Sequence, residues 1–346
     1  MVVAHTSVKK TTEEFRSDWV PTRYDLRDTW FPIAHAPHVT TKIVRRIIHS
    51  RPVFLWRENG RAVASEFHPE KSSGSGQASA FTNGSGLYPI AERYGYVWIW
   101  YGNPDLADQN LLPHIPFLPA DGSIPNFMRT TIRFDACSAL SVENLLDLTH
   151  ADFLHGQLVG GEGVSETDDV SFEYTSETLT RTRIVTGKPV SQIMRWVGGV
   201  RSKYQDFQSI LHVHLRSNLC ISYPRFTPGI DVPNVQPFVP VGQNRSRVDQ
   251  IFNLTAAPLP FRRLMPKIAY TIGPQDNYVM RPQNPAYLHP SKRLDFHSRF
   301  DAPGTRYRHL MEHLHLRQIS GDFSYQNDGD PGVDITQILG MEKPVQ

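Results

Sequence analysis

The residues best suited to bind a metal or take part in a reaction lie together in one short segment, residues 143–155. This segment carries two histidines, His150 and His155, together with Asp147 and Asn144. Imidazole is a good ligand for divalent iron, zinc or copper, and two histidines with one carboxylate form the ligand set of oxygen-activating iron sites. Three protein ligands leave the opposite face of the metal open for dioxygen and substrate. The segment is therefore a candidate metal site.

The spacing of the two histidines sets a condition on the backbone. At about 100° per residue, His150 and His155 point about 140° apart on a straight α-helix. They converge on one ion only if the helix bulges or breaks between them, as helices do at many functional sites. Asp147 lies one turn before His150, and we expect it to hydrogen-bond the outer ring nitrogen of that histidine.

The alternative for these histidines is an ordinary place on the surface or in the core. The surrounding residues are large and apolar, which implies burial, and a buried polar group needs a partner. These apolar neighbours are Leu145, Leu146, Leu148, Phe153 and Leu154. Burial favours metal ligands over exposed histidines, and a core role stays open on these residues alone.

The composition excludes several classes of partner. The 346 residues include 36 lysines and arginines and 34 aspartates and glutamates, which gives a formal charge of +2. This small positive excess does not indicate binding to nucleic acid or to an anionic membrane. No stretch approaches the about 20 apolar residues of a spanning helix, and the first residues lack the apolar core of a signal peptide. Two cysteines cannot form a disulfide framework. We expect a cytoplasmic protein that binds neither nucleic acid nor membrane.

Hydrophobic periodicity predicts short β-segments in the first third of the chain. Asn59-Gly60 separates two alternating stretches and predicts a two-residue hairpin. Residues 96–101 read as a second clear strand. Residues 71–86 are rich in glycine and serine, and we expect a flexible loop that buries no core.

The later part of the chain predicts a mixture of helices and strands. After the helical segment with the two histidines come several β-segments and a helix from Phe261 to about Tyr278, interrupted at Pro266 and Gly273. A sheet bracketed by helices indicates an α+β fold whose sheet is largely antiparallel.

A family resemblance rests on the pattern N-x-x-D-x-x-H-x-x-x-x-H, at Asn144, Asp147, His150 and His155. This pattern resembles the mononuclear-iron motif of Rieske-type non-haem iron oxygenase α-subunits, in the vanillate demethylase-like group. The resemblance implies that His150 and His155 bind Fe(II), and that Asp147 bridges to a neighbouring subunit's Rieske cluster. It implies a third ligand in the context Gly-Pro-Gln-Asp, which is Asp276. Asn144 is assigned with Asp147 to the catalytic machinery.

Weaker similarities to the same family cover roughly residues 28–280. They are Trp30-Phe31-Pro32, LWRENGRAVA and AERYGYVWIWYGNP, which look like the family's Rieske-domain framework. The resemblance implies an N-terminal arm (1–29) packed on the catalytic domain, a small all-β vestigial Rieske-like domain (30–125), and a catalytic domain (126–346). The catalytic domain is expected to be helix-grip (START-like) with an antiparallel sheet, assembled as a ring of three.

The ligands of a Rieske cluster are missing from the chain. Such a cluster needs two cysteines and two histidines, whereas the first cluster loop is represented here by Ser65–Pro69, without cysteine. Cys137 and Cys220 lie in the other predicted domain. We therefore expect no iron–sulfur cluster in this chain, with natural loss and deliberate shortening as the two explanations.

The resulting hypothesis is a non-haem Fe(II)-dependent monooxygenase that hydroxylates or oxidatively demethylates a hydrophobic or aromatic small molecule. Its electrons would come from an external donor: a Rieske protein, a ferredoxin with its reductase, or a cluster-bearing α-subunit. A homotrimer or mixed oligomer is expected. Two alternatives remain: a binding or scaffolding subunit without catalysis, and a metal-dependent hydrolase or isomerase that uses the ion as a Lewis acid.

Other polar groups are weaker candidates. His212 and His214 alternate along a strand and share one face, which favours pocket lining or surface over metal binding. Asp168 is expected in an exposed loop. The aromatic residues that could line a substrate pocket are Phe153, Trp196, Phe207 and Tyr223.

Overall fold

The computed structural model describes most of the chain. The described residues are 2–4, 26–71, 78–147, 149–156, 168–289, 298–326 and 335–341. The greater part of the predicted N-terminal arm lies outside the described residues, as do residues 72–77 of the glycine- and serine-rich stretch.

Six strands of the first third of the chain form two small antiparallel sheets. They are β2 (Thr29–His35), β3 (Val44–Ile48), β4 (Arg51–Glu58), β5 (Arg61–Ser65), β6 (Ile90–Arg93) and β7 (Tyr96–Tyr101). The orders are β2-β7-β6 and β3-β4-β5. The predicted hairpin is confirmed, because Asn59 and Gly60 take positive φ values of 51° and 79° between β4 and β5.

An eight-stranded antiparallel sheet dominates the rest of the molecule. Its strands are β1 (Val2–Ala4), β8 (Arg129–Phe134), β9 (Asp169–Tyr174), β10 (Thr178–Pro189), β11 (Tyr204–His214), β12 (Leu219–Thr227), β13 (Asn234–Gly242) and β14 (Arg245–Phe252). The order is β1-β9-β10-β11-β12-β13-β14-β8. Every pairing is antiparallel, so the predicted α+β class with an antiparallel sheet is confirmed.

Helices lie along and beside this sheet. They are α1 (Ser138–Leu146), α2 (Thr149–Leu154), α3 (Gln192–Trp196), α4 (Leu259–Leu288), α5 (Ala302–Ile319) and α6 (Ile335–Ile338). Among the described helices, none has the length and apolar character needed to cross a membrane.

Helix α4 corrects the predicted interruption at Pro266 and Gly273. It runs unbroken for 30 residues and ends ten residues beyond the predicted end at Tyr278. Each internal proline removes one hydrogen bond of the helix. The packing of α4 on the sheet outweighs this loss: Pro266 and Gly273 are buried, and α4 packs against β8.

The two faces of the large sheet have different neighbours. Alternate residues of the central strands, such as Phe207, Ser222 and Gln250, face a cavity beneath α4. The opposite face meets the small sheets, where the hydroxyl of Tyr96 donates to the backbone oxygen of Asp249 at 2.8 Å. The small sheets therefore cover the side of the large sheet that faces away from the cavity.

Part of the glycine- and serine-rich stretch is packed, contrary to the prediction of a loop without a core. Phe81 and Thr82 are buried, and the ring of Phe81 stacks on Tyr101 at 4.5 Å. The hydroxyl of Thr82 donates to Glu66 at 2.5 Å. One aromatic residue within a polar stretch is enough to anchor it.

Gly273 permits a close approach of α4 to the sheet. A Cβ atom at Gly273 would lie 2.7 Å from Cγ2 of Ile132 on β8. We expect Gly273→Ala to lower the free energy of unfolding by about 1–3 kcal/mol through overpacking, although alanine has the better helix propensity. Chemical denaturation measures this change.

Gly304→Ala is the matched control, because Gly304 also lies in a helix and its nearest neighbours would be 3.9 Å from a new Cβ. This variant is expected to be neutral or stabilising. Equal destabilisation by both substitutions would contradict the role of the close approach.

Candidate metal centre

A break between two helices precedes the two histidines. Helix α1 ends at Leu146, and Asp147 takes an extended conformation with φ −89° and ψ 90°. The Asp147 carboxylate accepts from the backbone N–H of Thr149 at 2.9 Å and from its hydroxyl at 2.5 Å, which starts α2 as an N-cap does. His155 follows the last residue of α2, and its ring lies 5.5 Å from the ring of His150. The backbone departure at Asp147 precedes both histidines, so it is not the predicted break between them; instead α2 ends at Leu154, directly before His155.

Asp276 reaches both histidines from α4. Its Oδ1 lies 3.3 Å from Nε2 of His150 and 2.9 Å from Nε2 of His155. One nitrogen or oxygen of each residue lies within 4.8 Å of the others. Two ligand atoms about 2.1 Å from one ion, at right angles, are about 3.0 Å apart. The group therefore has the spacing of a facial metal-ligand set.

The electrostatics of the group favour a bound cation. Burial acts to raise the pKa of Asp276, but the hydrogen bonds and charges of His150 and His155 hold this pKa at about 2. Burial acts to lower the pKa of His155, and Asp276 outweighs it, so that the pKa of His155 is raised. A carboxylate that stays ionised in a buried position needs a neighbouring positive charge. A divalent ion that is bound by neutral imidazoles can supply that charge.

A second layer of polar groups orients the three side chains. Nδ1 of His155 lies 2.7 Å from the side-chain oxygen of Gln275, and the amide of Asn144 donates to Oδ1 of Asp276 at 3.2 Å. Nδ1 of His150 contacts the backbone oxygen of Asp147. The expected bond from the Asp147 carboxylate to His150 is thus made by its backbone instead, because that carboxylate caps α2.

Gln275 is a site residue that no sequence pattern predicted. Its only signal was its position immediately before Asp276, in the context Gly-Pro-Gln-Asp. Residues adjacent in a helix point about 100° apart, so Gln275 and Asp276 approach His155 from different sides.

The group lies between two openings. On one side is the cavity under α4, which encloses about 240 Å³ and is mostly apolar. Its aromatic lining residues are Phe134, Phe207, Phe226, Phe252 and Phe261. On the other side, a surface depression is lined by Asp147, His150 and Phe153. His150 and Asn144 line both, so the centre can be approached from two directions.

The structure supports only one of the four predicted pocket aromatics. Phe207 lines the cavity. Phe153 and Trp196 are 76% and 81% exposed, and Tyr223 packs edge-on against Phe117 at 6.1 Å. Sequence spacing did not distinguish between these environments.

His212 and His214 are fully buried rather than on the surface. Burial lowers the pKa of His212 to about 4, and its Nδ1 lies 2.8 Å from the hydroxyl of Thr180. Within the part of the chain that the structure describes, neither belongs to a group of three metal-ligating side chains.

The two cysteines are also core residues. Cys137 and Cys220 are buried and unpaired, and burial raises the pKa of the Cys137 thiol to about 12. His68, in the loop after β5, packs edge-on against the ring of Phe54 at 5.3 Å. The Glu66 carboxylate binds the backbone N–H of Ser79 at 2.8 Å.

Comparison with known protein families matches residues 134–317 to the vanillate O-demethylase oxygenase C-terminal domain. The match covers more than half of the 346 residues. The chain belongs to this family. The resemblance to Rieske-type oxygenase α-subunits, first seen in the histidine motif, is thereby confirmed.

Individual relatives of this vanillate O-demethylase-family chain match over shorter stretches. A vanillate O-demethylase oxygenase subunit from a Pseudomonas species is 27% identical over 107 residues, 31% of this chain and 30% of that protein. The oxygenase component of dicamba O-demethylase from Stenotrophomonas maltophilia is 24% identical over 212 residues, 51% of this chain and 58% of that protein. The alignments thus span about a third to three fifths of these relatives.

Solved structures show the shared fold over a longer range. Dicamba monooxygenase bound to 3,6-dichlorosalicylic acid superposes with a TM-score of 0.70 at 17% identity, covering 85% of this chain and 98% of that one. The terminal oxygenase of carbazole 1,9a-dioxygenase from Nocardioides aromaticivorans superposes with a TM-score of 0.52 at 13% identity, covering 88% and 99%. At these identities the likeness concerns the fold.

Gln275 provides a test of the second layer. Gln275→Ala removes the partner of His155 Nδ1, and we expect the affinity for a divalent metal to fall by about 10- to 100-fold, as for other outer partners of ligating histidines. Competition with a chelator measures this affinity.

The control is Gln283→Ala, which changes an exposed glutamine on the same helix. It should leave the metal affinity unchanged. A full affinity in Gln275→Ala would mean that this amide does not orient the ligand.

Proposed function

We propose that the protein is a non-haem Fe(II)-dependent monooxygenase that hydroxylates or oxidatively demethylates a hydrophobic or aromatic small molecule. The observation that supports this proposal most strongly is the convergence of His150, His155 and Asp276 beside an apolar cavity. The membership in an oxygenase family supports the same reading.

The donor set fits ferrous iron. Two imidazoles and one carboxylate suit this ion, and Gln275 and Asn144 hold two of the three ligands in place. When bound, the iron supplies the redox centre at which dioxygen is reduced next to the substrate. The chain itself contributes the ligand geometry and the apolar cavity, which excludes water from the reacting centre.

The electron balance requires a second protein. Insertion of one oxygen atom into a C–H bond, with reduction of the other to water, consumes two electrons and two protons besides dioxygen. Both cysteines are buried in the core around the large sheet, and none lies in the small sheets. We infer that no iron–sulfur cluster is carried by this chain, and that an external Rieske or ferredoxin-type donor supplies the electrons.

The depression beside Asp147 is the proposed docking place of that donor. It opens to the surface within reach of His150 and is separate from the cavity on the other side of the centre. Phe153, on its rim, is 76% exposed. Exposed aromatic residues of this kind are enriched at protein interfaces.

We further propose three segments in the chain and an oligomeric assembly. Residues 126–346 would form a helix-grip catalytic domain, with α4 laid across the large sheet. Residues 30–125 would form a vestigial Rieske-like domain that retains a structural role, and 1–29 an arm. A homotrimer, or a mixed oligomer with cluster-bearing subunits, would place a donor next to Asp147.

Two other functions are the alternatives to an oxygenase. A hydrolase or isomerase would need the bound ion only as a Lewis acid, and a scaffolding subunit would need no metal. The mostly apolar lining, together with the membership in an oxygenase family, favours the oxygenase.

Metal analysis tests the ligand set. Protein purified without oxygen is expected to contain about one iron per chain, and His150→Ala and Asp276→Ala should each lose it, because two ligands hold iron poorly. Elemental analysis after reconstitution with ferrous iron measures the content.

His313→Ala, an exposed histidine on α5, is the control and should keep its iron. Absence of iron from the parent would reject the oxygenase. Iron without substrate-coupled oxygen consumption would instead favour the Lewis-acid alternative.

Asp147 is tested separately from the ligands. With a reduced [2Fe–2S] ferredoxin as donor, Asp147→Asn should slow substrate-coupled oxygen uptake at least about tenfold, equivalent to about 1.4 kcal/mol, while iron content stays near that of the parent. Asp169→Asn, an exposed aspartate at the start of β9, is the control. Loss of iron would assign Asp147 a structural role in starting α2.

A further inference from the structure

A buried group of four charged residues lies in the wall of the cavity. We call it the Asp152 cluster: Asp152, Asp168, Arg183 and Lys188. Nη2 of Arg183 donates to Asp152 at 2.5 Å and to Asp168 at 2.6 Å, and Nζ of Lys188 donates to Asp152 at 2.7 Å. The four side chains are 2–7% exposed. Asp168 is thus buried and paired, contrary to the predicted exposed loop.

Three members of the Asp152 cluster line the cavity: Asp152, Arg183 and Lys188. Asp152 stands on α2 between the two histidines of the metal centre, whereas Arg183 and Lys188 come from β10. Nζ of Lys188 also lies 5.0 Å from the ring centre of Phe207, another lining residue. The cluster is therefore part of the wall that a molecule in the cavity would meet.

The charges of the cluster cancel. Two carboxylates face one guanidinium and one ammonium, and each cation of the cluster has a carboxylate within 2.7 Å. Apart from the metal centre, the other polar lining residues that the structure describes are neutral: Asn144, Ser191, Ser209, Ser222, Asn234, Gln236 and Gln250. Arg181, a further buried arginine on β10, does not line the cavity.

We propose that Asp152 is a specificity-determining residue, which selects uncharged substrates by neutralising Lys188 and Arg183 in the cavity wall. An ionised group that enters a buried site loses its hydration and needs an opposite charge in return. The side-chain cations of the wall that could provide this charge, Arg183 and Lys188, already bind Asp152. A neutral substrate meets no such cost and gains from the apolar lining.

The proposal rests on the proposed function, since it takes the cavity as the substrate pocket. Its test is a comparison of two ligands of nearly equal shape, 4-methoxybenzamide and 4-methoxybenzoate. Isothermal titration calorimetry of the ferrous-loaded protein, carried out without oxygen, measures the dissociation constants of both ligands. The binding measurement needs no turnover, so its result is independent of the oxygenase activity. The protein could bind iron and consume oxygen without preferring the amide, or prefer the amide without consuming oxygen.

The parent protein is expected to bind the amide at least about tenfold more tightly than the benzoate. Asp152→Asn leaves Lys188 without its carboxylate, so the ratio of the two constants should move at least about tenfold toward the benzoate. In Asp152→Asn/Lys188→Gln, neutrality is restored and the ratio should return to that of the parent. Asp169→Asn, with the same change in net charge at the surface, should leave the ratio unaltered.

A second single variant covers the case in which Asp152→Asn does not fold. Lys188→Gln keeps Asp152 paired with Arg183 and makes the wall more negative, so binding of the benzoate should weaken while binding of the amide changes little. The proposal is overturned if the parent prefers the benzoate or binds neither ligand. It is equally overturned if the cluster variants change both constants by the same factor, which would mean that the cluster only fastens α2 to the sheet.

Discussion

One carboxylate holds the candidate centre together. Asp276 lies 121 residues after His155 in the chain, yet its Oδ1 is within 3.3 Å of Nε2 in both histidines. This contact exists only because α4 lies close against β8, where Gly273 leaves room for Ile132. It also requires α1 to end before His150. Two backbone features far from each other in sequence therefore determine one position in space.

The surroundings of the centre differ from one side to the other. The cavity under α4 is apolar, and its few charged wall residues are paired with each other. The depression on the opposite side is open and has an exposed aromatic rim. A site with this asymmetry can separate the entry of an apolar substrate from the approach of a redox partner. The same asymmetry gives Asp147 and Asp152, five residues apart, different neighbours.

The small sheets lie on the side of the large sheet away from the cavity. They pack against the face of the large sheet that points away from it, through contacts such as Tyr96 with Asp249. In the loop that the family resemblance assigns to a cluster, the Glu66 carboxylate accepts from Ser79 and Thr82, and the nearby ring of Phe81 stacks on Tyr101. These contacts are suited to a structural role.

The sequence by itself determined the residue types of the centre and the class of the fold. The motif from Asn144 to His155, the context of Asp276 and the alternation of the strands are local patterns, so they can be read without coordinates. Only the tertiary structure decided that Gln275 contacts His155, that α4 continues through its prolines and that Asp168 is buried against Arg183. Those outcomes depend on packing between distant segments, which the spacing of residues along one segment does not encode.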